Sequence, residues 1–141
     1  MARILHDAGL VKMPVDAMIE DRITSRFYPH GLGHHLGVQV HDVGGRVAPD
    51  GTPLPPPEAH PFLRLTRTLE AGNVVTVEPG LYFIPSLLKD LRNGGFADRF
   101  DWDAIDALIP YGGIRIEDDV VVGRGEAPEN LTRDAFAAAG E

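Results

Sequence analysis

PHGLGHHLGVQVHDVGG, residues 29–45, contains four of the six histidines and five of the sixteen glycines of the chain. Glycine lets a backbone approach its neighbours closely, and neutral imidazole both binds metals and transfers protons near pH 7. The stretch therefore predicts a polar site with a bent backbone. The run Val38–His41 indicates a short strand, which would place His30 and His34 on the entering loop and His41 at the strand exit. A surface turn whose imidazoles only form hydrogen bonds is the alternative.

Two carboxylates associated with predicted strands favour a functional site over a surface turn. The β-branched run Val74–Val77 predicts a strand that ends at Glu78, where a buried charge is costly unless it is paired or bound to a metal. Alternation over residues 114–122 predicts a second strand, with Arg115 and Glu117 on one face. A salt-bridged strand end and a structural Arg–Glu pair are the respective alternatives.

Helices and one long loop are predicted for the rest of the chain. Apolar residues at helical spacing predict an amphipathic helix over residues 15–27. Asp101 is a predicted N-cap for a short helix that ends at Leu108, and the alanine-rich tail predicts a C-terminal helix. Repeated prolines exclude helix and central strand over residues 46–61, which predicts a long ordered loop or the edge of a lid.

The composition restricts the class of function. A chain of 141 residues is long enough for one ordinary domain, and 43% hydrophobic residues permit a core. The net charge of −8 argues against a general nucleic-acid binder, because phosphate binding relies on clustered Lys and Arg. We expect no membrane association, since no apolar stretch approaches the roughly 20 residues of a membrane span. The absence of cysteine excludes disulfides and thiolate zinc sites, and a cytoplasmic location is expected.

Four motifs occur in order along the chain: PHGLGH (29–34), VHD (40–42), VEPG (77–80) and GIRIED (113–118). This pattern resembles the M24 metallopeptidase family, and most of all its bacterial Xaa-Pro dipeptidase (prolidase) branch. Residues 82–88 and 131–134 are also similar to that branch, so the resemblance extends from about Pro14 onward. It implies an α+β chain, the C-terminal half of a pita-bread fold, with a mainly antiparallel curved sheet covered by helices.

The resemblance implies a metal centre in this chain. His34 and Glu78 would bind one divalent metal, and Glu117 would bridge two. His, Asp and Glu ligands suit manganese, with cobalt and zinc as competitors. In the family, a hydroxide between two ions about 3.5 Å apart attacks the scissile carbonyl, and Glu78 would then carry a proton to the leaving nitrogen.

Residues on the substrate side follow from the same resemblance. His30 and His41 would be catalytic groups that line the substrate and stabilise the tetrahedral intermediate. Arg64 would bind the terminal carboxylate of an Xaa-Pro dipeptide, because a guanidinium can bind both oxygens at once. Arg115 would lie beside the substrate site and orient Glu117. The resemblance implies no role for His35, which is expected to be structural or exposed.

The family pattern includes two aspartate ligands and a separate N-terminal domain that this sequence lacks. We therefore expect residues 1–141 to be the C-terminal part of an M24 catalytic domain, without the first catalytic half. Such a chain would bind at most one metal, have impaired activity, and form a homo-oligomer or associate with the missing N-terminal half. The alternatives are a truncated non-catalytic interaction or regulatory module, an aminopeptidase P, and an organophosphorus acid hydrolase.

Overall fold

A computed structural model of the chain describes residues 1–125 and 127–140. Its α-helices span Ala2–Asp7 (α1), Val15–Glu20 (α2), Thr24–Phe27 (α3), Pro85–Asn93 (α4), Trp102–Leu108 (α5) and Leu131–Ala139 (α6). Its strands span Val74–Val77 (β1), Gly80–Tyr82 (β2), Gly113–Arg115 (β3), Asp118–Val121 (β4) and Glu129–Asn130 (β5). Short 3-10 turns cover Val43–Arg46, Ala97–Arg99 and Ile109–Tyr111.

The chain divides into two compact units. One comprises Met1–Pro29 and Gly80–Arg115, and the other comprises His30–Pro79 and the part from Ile116 onward. Every pairing between these strands is antiparallel, which together with the helices confirms the predicted α+β class. Within the described residues, none of the helices has the length and apolar character needed to cross a membrane.

The first unit is built around an aromatic cluster centred on Phe27. The Phe27 ring is fully buried, meets Phe83 edge-on at 6.0 Å between centroids, and stacks with Phe100 at 6.4 Å. Phe100 in turn stacks with Trp102 at 5.0 Å. Edge-on and offset arrangements of this kind suit the charge distribution of aromatic rings. Aliphatic side chains complete this core: Leu5, Leu10, Val11, Met13, Met18, Ile23, Leu88, Leu91 and Ile105.

The predicted single helix over residues 15–27 is wrong, because the chain turns sharply between α2 and α3. Arg22 adopts a left-handed conformation with φ of 55°. The Ile23 N–H donates to Met18 O at 2.9 Å, and the Arg22 N–H donates to Ile19 O at 3.1 Å. This is the Schellman arrangement that ends many helices, and here it brings Ile23 into the core beside Met18.

Replacing Arg22 with glycine should stabilise the chain by about 0.5–1 kcal/mol. A residue with a Cβ is strained in the left-handed region, and glycine removes this strain. We expect the removal of strain to outweigh the larger conformational entropy that glycine loses on folding. Arg22→Ala is the matched control, because alanine removes the guanidinium but keeps the strain. Urea unfolding should place the midpoint of Arg22→Gly above those of the wild type and Arg22→Ala. Equal midpoints for the two variants would contradict this origin of the effect.

The predicted short helix that is capped by Asp101 and ends at Leu108 is confirmed as α5. The Asp101 carboxylate accepts a hydrogen bond from the Ala104 N–H at 3.0 Å, as an N-cap does. Ile105 of this helix is fully buried. In the same unit β2 pairs with β3, with Leu81 opposite Ile114.

The second unit contains a three-stranded sheet in the order β1-β4-β5, covered in part by α6. The β1–β4 register places Thr76 opposite Asp119. Side-chain contacts join α6 to β4. The Arg133 guanidinium lies 2.8 Å from one oxygen of the Asp118 carboxylate and donates to the other at 3.2 Å, and the Asp119 N–H donates to Thr132 Oγ1 at 2.8 Å. A hydrogen bond from the Asn130 amide, together with Arg133, lowers the pKa of Asp118.

The prediction of one continuous strand over residues 114–122 is also wrong. The strand stops after Arg115 and resumes at Asp118, and β3 and β4 belong to different sheets. Residues 116–117 belong to neither strand, although the Ile116 N–H still donates to Pro79 O at 3.2 Å.

Candidate metal centre

The glycine-rich stretch lies alongside β1 and pairs with it. Three backbone hydrogen bonds join them: Leu36 N–H to Val74 O (2.9 Å), Thr76 N–H to His34 O (2.9 Å) and Glu78 N–H to Leu32 O (2.7 Å). The spacing of two residues between successive bonds is that of an extended antiparallel pair. This pairing brings His34 next to the end of β1, where Glu78 lies.

The predicted strand over Val38–His41 is absent, and this segment bends back on itself. The Asp42 carboxylate accepts hydrogen bonds from the backbone N–H groups of Gly44 at 2.8 Å and Gln39 at 3.4 Å. These bonds lower the pKa of Asp42. Because the loop is closed by its own hydrogen bonds, its backbone is not extended for pairing, and the bridge to β1 occurs earlier, at His35.

Gly33 packs directly against the backbone of β1 at Thr76. A Cβ added at Gly33 would lie 1.9 Å from the Thr76 carbonyl oxygen and 2.9 Å from its carbonyl carbon. Both atoms are backbone, so neither can rotate away as a side chain would. Glycine is therefore required here by the close approach of two backbones.

The His34 ring is held in one orientation. It is only 2% exposed, and its Nδ1 lies 3.1 Å from the His35 carbonyl oxygen. Because a carbonyl oxygen can only accept, we assign the proton to Nδ1, which leaves Nε2 of the neutral ring as the acceptor and ligand atom. Nε2 lies 3.3 Å from Oε1 of Glu78, whose residue is 6% exposed.

Glu117 completes a group of three potential ligands. One ligand atom from each of His34, Glu78 and Glu117 can be chosen so that all three lie within 4.8 Å of one another. His34 of the loop and Glu78, the residue after β1, are buried, whereas Glu117 is exposed on the link between β3 and β4. Three separate parts of the sequence thus converge on one point within the second unit.

The residues of this group fit a divalent metal ion. Nε2 of His34 and Oε1 of Glu78 are both acceptors in a buried environment, and such a pair is unfavourable unless a proton or a cation lies between them. Metal–ligand bonds of about 2.0–2.2 Å separate two ligands of one ion by at most about 4.4 Å. The 3.3 Å between His34 Nε2 and Glu78 Oε1 lies within this limit, and the exposed Glu117 side chain can rotate toward the same ion.

His41 lies beside the group. Its ring meets that of His34 edge-on, with 4.4 Å between centroids and 76° between planes. Partial desolvation and the positive charge of Arg64 lower the pKa of His41, and the carboxylates of Glu78 and Glu117 oppose this effect. His41 is therefore mostly a neutral imidazole near pH 7, able to donate from one ring nitrogen and accept at the other.

The remaining predicted site residues are Arg64, His30 and Arg115. Arg64 is exposed and close enough to His41 to affect its pKa. His30 is half-buried, and its Nδ1 lies 2.8 Å from the Gly31 carbonyl oxygen. Arg115 lies in β3, within the first unit, and its side chain is exposed. The catalytic and substrate-binding roles of these residues remain predictions.

Two residues of the site were not identified from the sequence. His35 is buried, and its carbonyl oxygen orients the His34 ring. Burial and the charge of Arg67 lower the pKa of His35. Thr76 is 3% exposed, and its hydroxyl contacts both His34 and Glu78. Its position two residues before Glu78 in an extended run was the available signal, because such residues share a face.

Comparison with curated proteins identifies enzymes with similar sequences. The chain is 53% identical over 135 residues to a Xaa-Pro dipeptidase of Pseudoalteromonas atlantica, covering 95% of this chain and 30% of that protein. It is 51% identical over 137 residues to a Xaa-Pro dipeptidase of Stenotrophomonas maltophilia, covering 96% and 31% respectively. The chain thus spans about 30% of the length of these relatives.

Solved structures and a family model agree with the sequence comparison. An E. coli aminopeptidase P with the inhibitor Pro-Leu matches with a TM-score of 0.60 and 34% identity, covering 95% of this chain and 23% of that one. Proline aminopeptidase P II of Yersinia pestis matches with a TM-score of 0.59 and 34% identity, covering 95% and 24%. The chain matches a portion of these pita-bread structures, in accord with the predicted fold. The model of metallopeptidase family M24 matches residues 3–124, and the chain belongs to that family.

Proposed function

We propose that this chain provides part of the metal centre of a peptidase that hydrolyses Xaa-Pro dipeptides. The observation that carries this proposal is the convergence of His34, Glu78 and Glu117 within 4.8 Å. Two relatives that are 51% and 53% identical are named Xaa-Pro dipeptidase, which supports Xaa-Pro dipeptides as the substrate. Because the chain covers only about 30% of their length, the complete activity would need residues beyond this match.

The three proposed ligands would hold the ion, and Glu78 would also transfer a proton. When bound, a divalent ion lowers the pKa of a water molecule and polarises a carbonyl group. His34 would offer Nε2 to the ion, because Nδ1 is occupied by the His35 carbonyl. Glu117 would offer a carboxylate oxygen. Glu78 would also accept a proton from the attacking water and give it to the proline nitrogen as the peptide bond breaks.

Exposed basic residues would bind the substrate. Arg64 would hold the terminal carboxylate of the dipeptide, since its planar fork can bind both oxygens. The neutral His41 ring would donate a hydrogen bond to the oxygen of the scissile carbonyl as negative charge develops there. For His30 and Arg115 we propose supporting roles, on the substrate side and in orienting Glu117 respectively.

The ligand set restricts the metal without defining it. One imidazole and two carboxylates suit manganese, and also accept cobalt or zinc. The M24 resemblance implies two ions and two further aspartates, whereas the group in the described residues has three ligands. We therefore expect these 141 residues by themselves to bind at most one divalent ion and to hydrolyse dipeptides poorly.

An aminopeptidase is the second candidate function. The solved structures that match the chain are aminopeptidases P at 34% identity. Such enzymes would act on longer peptides, in which no carboxylate follows the proline directly. The proposed role of Arg64 favours the dipeptidase. A guanidinium there would bind the free carboxylate of a C-terminal proline, which longer peptides lack at that residue.

A chimaera tests the proposed function. The matching 135 residues of the Pseudoalteromonas atlantica enzyme are replaced by this chain, and hydrolysis of Gly-Pro and Gly-Pro-Ala is measured with and without Mn²⁺. We expect Mn²⁺-dependent hydrolysis with at least a tenfold preference (about 1.4 kcal/mol) for Gly-Pro. A preference for Gly-Pro-Ala would favour the aminopeptidase.

The control for the chimaera is a pair of charge-removing variants. Glu78→Gln should abolish hydrolysis, whereas Glu58→Gln, on the exposed proline-rich loop, should leave it unchanged. Hydrolysis that is insensitive to Glu78→Gln would contradict the proposal that this carboxylate belongs to the reaction centre.

A further inference from the structure

We infer that Thr76 is a positioning residue that fixes the Glu78 carboxylate relative to the His34 ring. The inference rests on the proposed function, because it concerns how two of the proposed metal ligands are held. Thr76 lies on β1 at a buried position, 3% exposed, and Glu78, which follows the strand two residues later, is buried as well.

The Thr76 hydroxyl makes one hydrogen bond to each ligand residue. Oγ1 donates to Oε1 of Glu78 at 3.1 Å and accepts from the backbone N–H of His34 at 3.0 Å. These directions are consistent, because a hydroxyl has one donor and two acceptor positions. The Thr76 N–H also donates to His34 O at 2.9 Å, so both backbone polar groups of His34 are bound to Thr76.

Packing and strand propensity do not require a hydroxyl at this position. Valine has nearly the same shape and a high strand propensity, and β1 has valine at its other three positions. Burying a hydroxyl is unfavourable unless its hydrogen bonds are made. Both bonds of Thr76 go to residues that carry proposed ligands, which indicates a role in the site beyond folding of the strand.

The bond to Oε1 restricts the Glu78 side chain most. A glutamate has three side-chain torsions, and only a contact at its end can fix the last of them. Oε1 is also the atom that lies 3.3 Å from Nε2 of His34. Thr76 therefore holds together two acceptors that would otherwise separate, and so preorganises them for a cation.

Metal titration of the full 141-residue chain tests this inference, with Co²⁺ alone as the probe. We expect Thr76→Val to weaken Co²⁺ binding by about 10–100-fold, the usual effect of losing a partner of a metal ligand. Thr76→Ser restores the hydroxyl and should bind within about threefold of the wild type. The Co²⁺ absorption spectrum should change in Thr76→Val and not in Thr76→Ser. Equal affinities and spectra for all three chains would overturn the inference.

A metal-free measurement tests the role of Thr76 independently of whether the chain binds a metal. Crystal structures of metal-free Thr76→Val and Thr76→Ser should differ, with the separation of His34 Nε2 and Glu78 Oε1 increased only in the valine variant. An unchanged separation would overturn the inference even if metal binding fell. A wild-type chain that binds no Co²⁺ would contradict the proposed function, while these structures still decide the role of Thr76. Thr76→Ala removes the same hydroxyl and replaces Thr76→Val if that variant does not fold.

Discussion

Gly33→Ala is expected to separate the glycine-rich loop from β1 and to remove metal binding. The new Cβ would lie 1.9 Å from the Thr76 carbonyl oxygen, so the two backbones would have to move apart by more than 1 Å. The hydrogen bonds that flank Gly33, from Thr76 N–H to His34 O and from Glu78 N–H to Leu32 O, would then break or lengthen. We expect a loss of about 3 kcal/mol in the free energy of unfolding.

Gly95→Ala is the matched control for this change. A Cβ at Gly95 meets no atom within 4 Å, and its φ is not in the left-handed region. The same substitution should therefore be neutral or slightly stabilising there. Chemical unfolding and Co²⁺ titration of both variants check the prediction. A Gly33→Ala chain with wild-type stability and affinity would contradict the close approach of the loop and β1.

Glu78→Gln is expected to reduce the affinity for a divalent ion by more than about 100-fold. Loss of a residue that only supports a ligand costs about 10–100-fold, and loss of the ligand charge itself should cost more. The effect should be large because the carboxylate is buried at the end of β1, where water cannot replace it readily. Calorimetric titration with Mn²⁺ or Co²⁺ measures the change.

The stability of the metal-free chain should respond much less to Glu78→Gln. A glutamine amide that donates to Nε2 of His34 removes the contact between two acceptors at 3.3 Å, but it occupies the position of Oε1 and so loses the hydrogen bond from Thr76. Because these two effects oppose each other, we expect the unfolding midpoint without metal to change little. Glu58→Gln is the control, since it makes the same chemical change on an exposed loop. A fall in metal-free stability with unchanged metal affinity would instead indicate a structural ion pair.

Local signals in the sequence predicted several elements well. The run of β-branched residues defines β1 because such side chains favour strands, and the strand ends at Val77, one residue before Glu78. The Asp101 N-cap begins α5 because a carboxylate can bond the free N–H groups of a first helical turn. The motifs that contain His34, Glu78 and Glu117 were also recognisable, although their convergence needed the structure.

The elements that were not predicted depend on tertiary structure. Arg22 has no residue-level preference for a left-handed conformation, and burial of Ile23 beside Met18 favours the turn there. The alternating sequence pattern runs through residues 116–117, yet β3 and β4 pair in different sheets. A local pattern cannot indicate which strand a segment pairs with. For the same reason, the sequence predicts Thr76 as a strand residue and does not indicate the two hydrogen bonds of its hydroxyl.

The most direct test of the proposed centre is anomalous diffraction from crystals of the 141-residue chain grown with Mn²⁺. We predict a peak at about 2.0–2.3 Å from His34 Nε2 and from a carboxylate oxygen of both Glu78 and Glu117. Crystals with Mn²⁺ bound elsewhere, or with none at these three side chains under saturating Mn²⁺, would contradict the assignment.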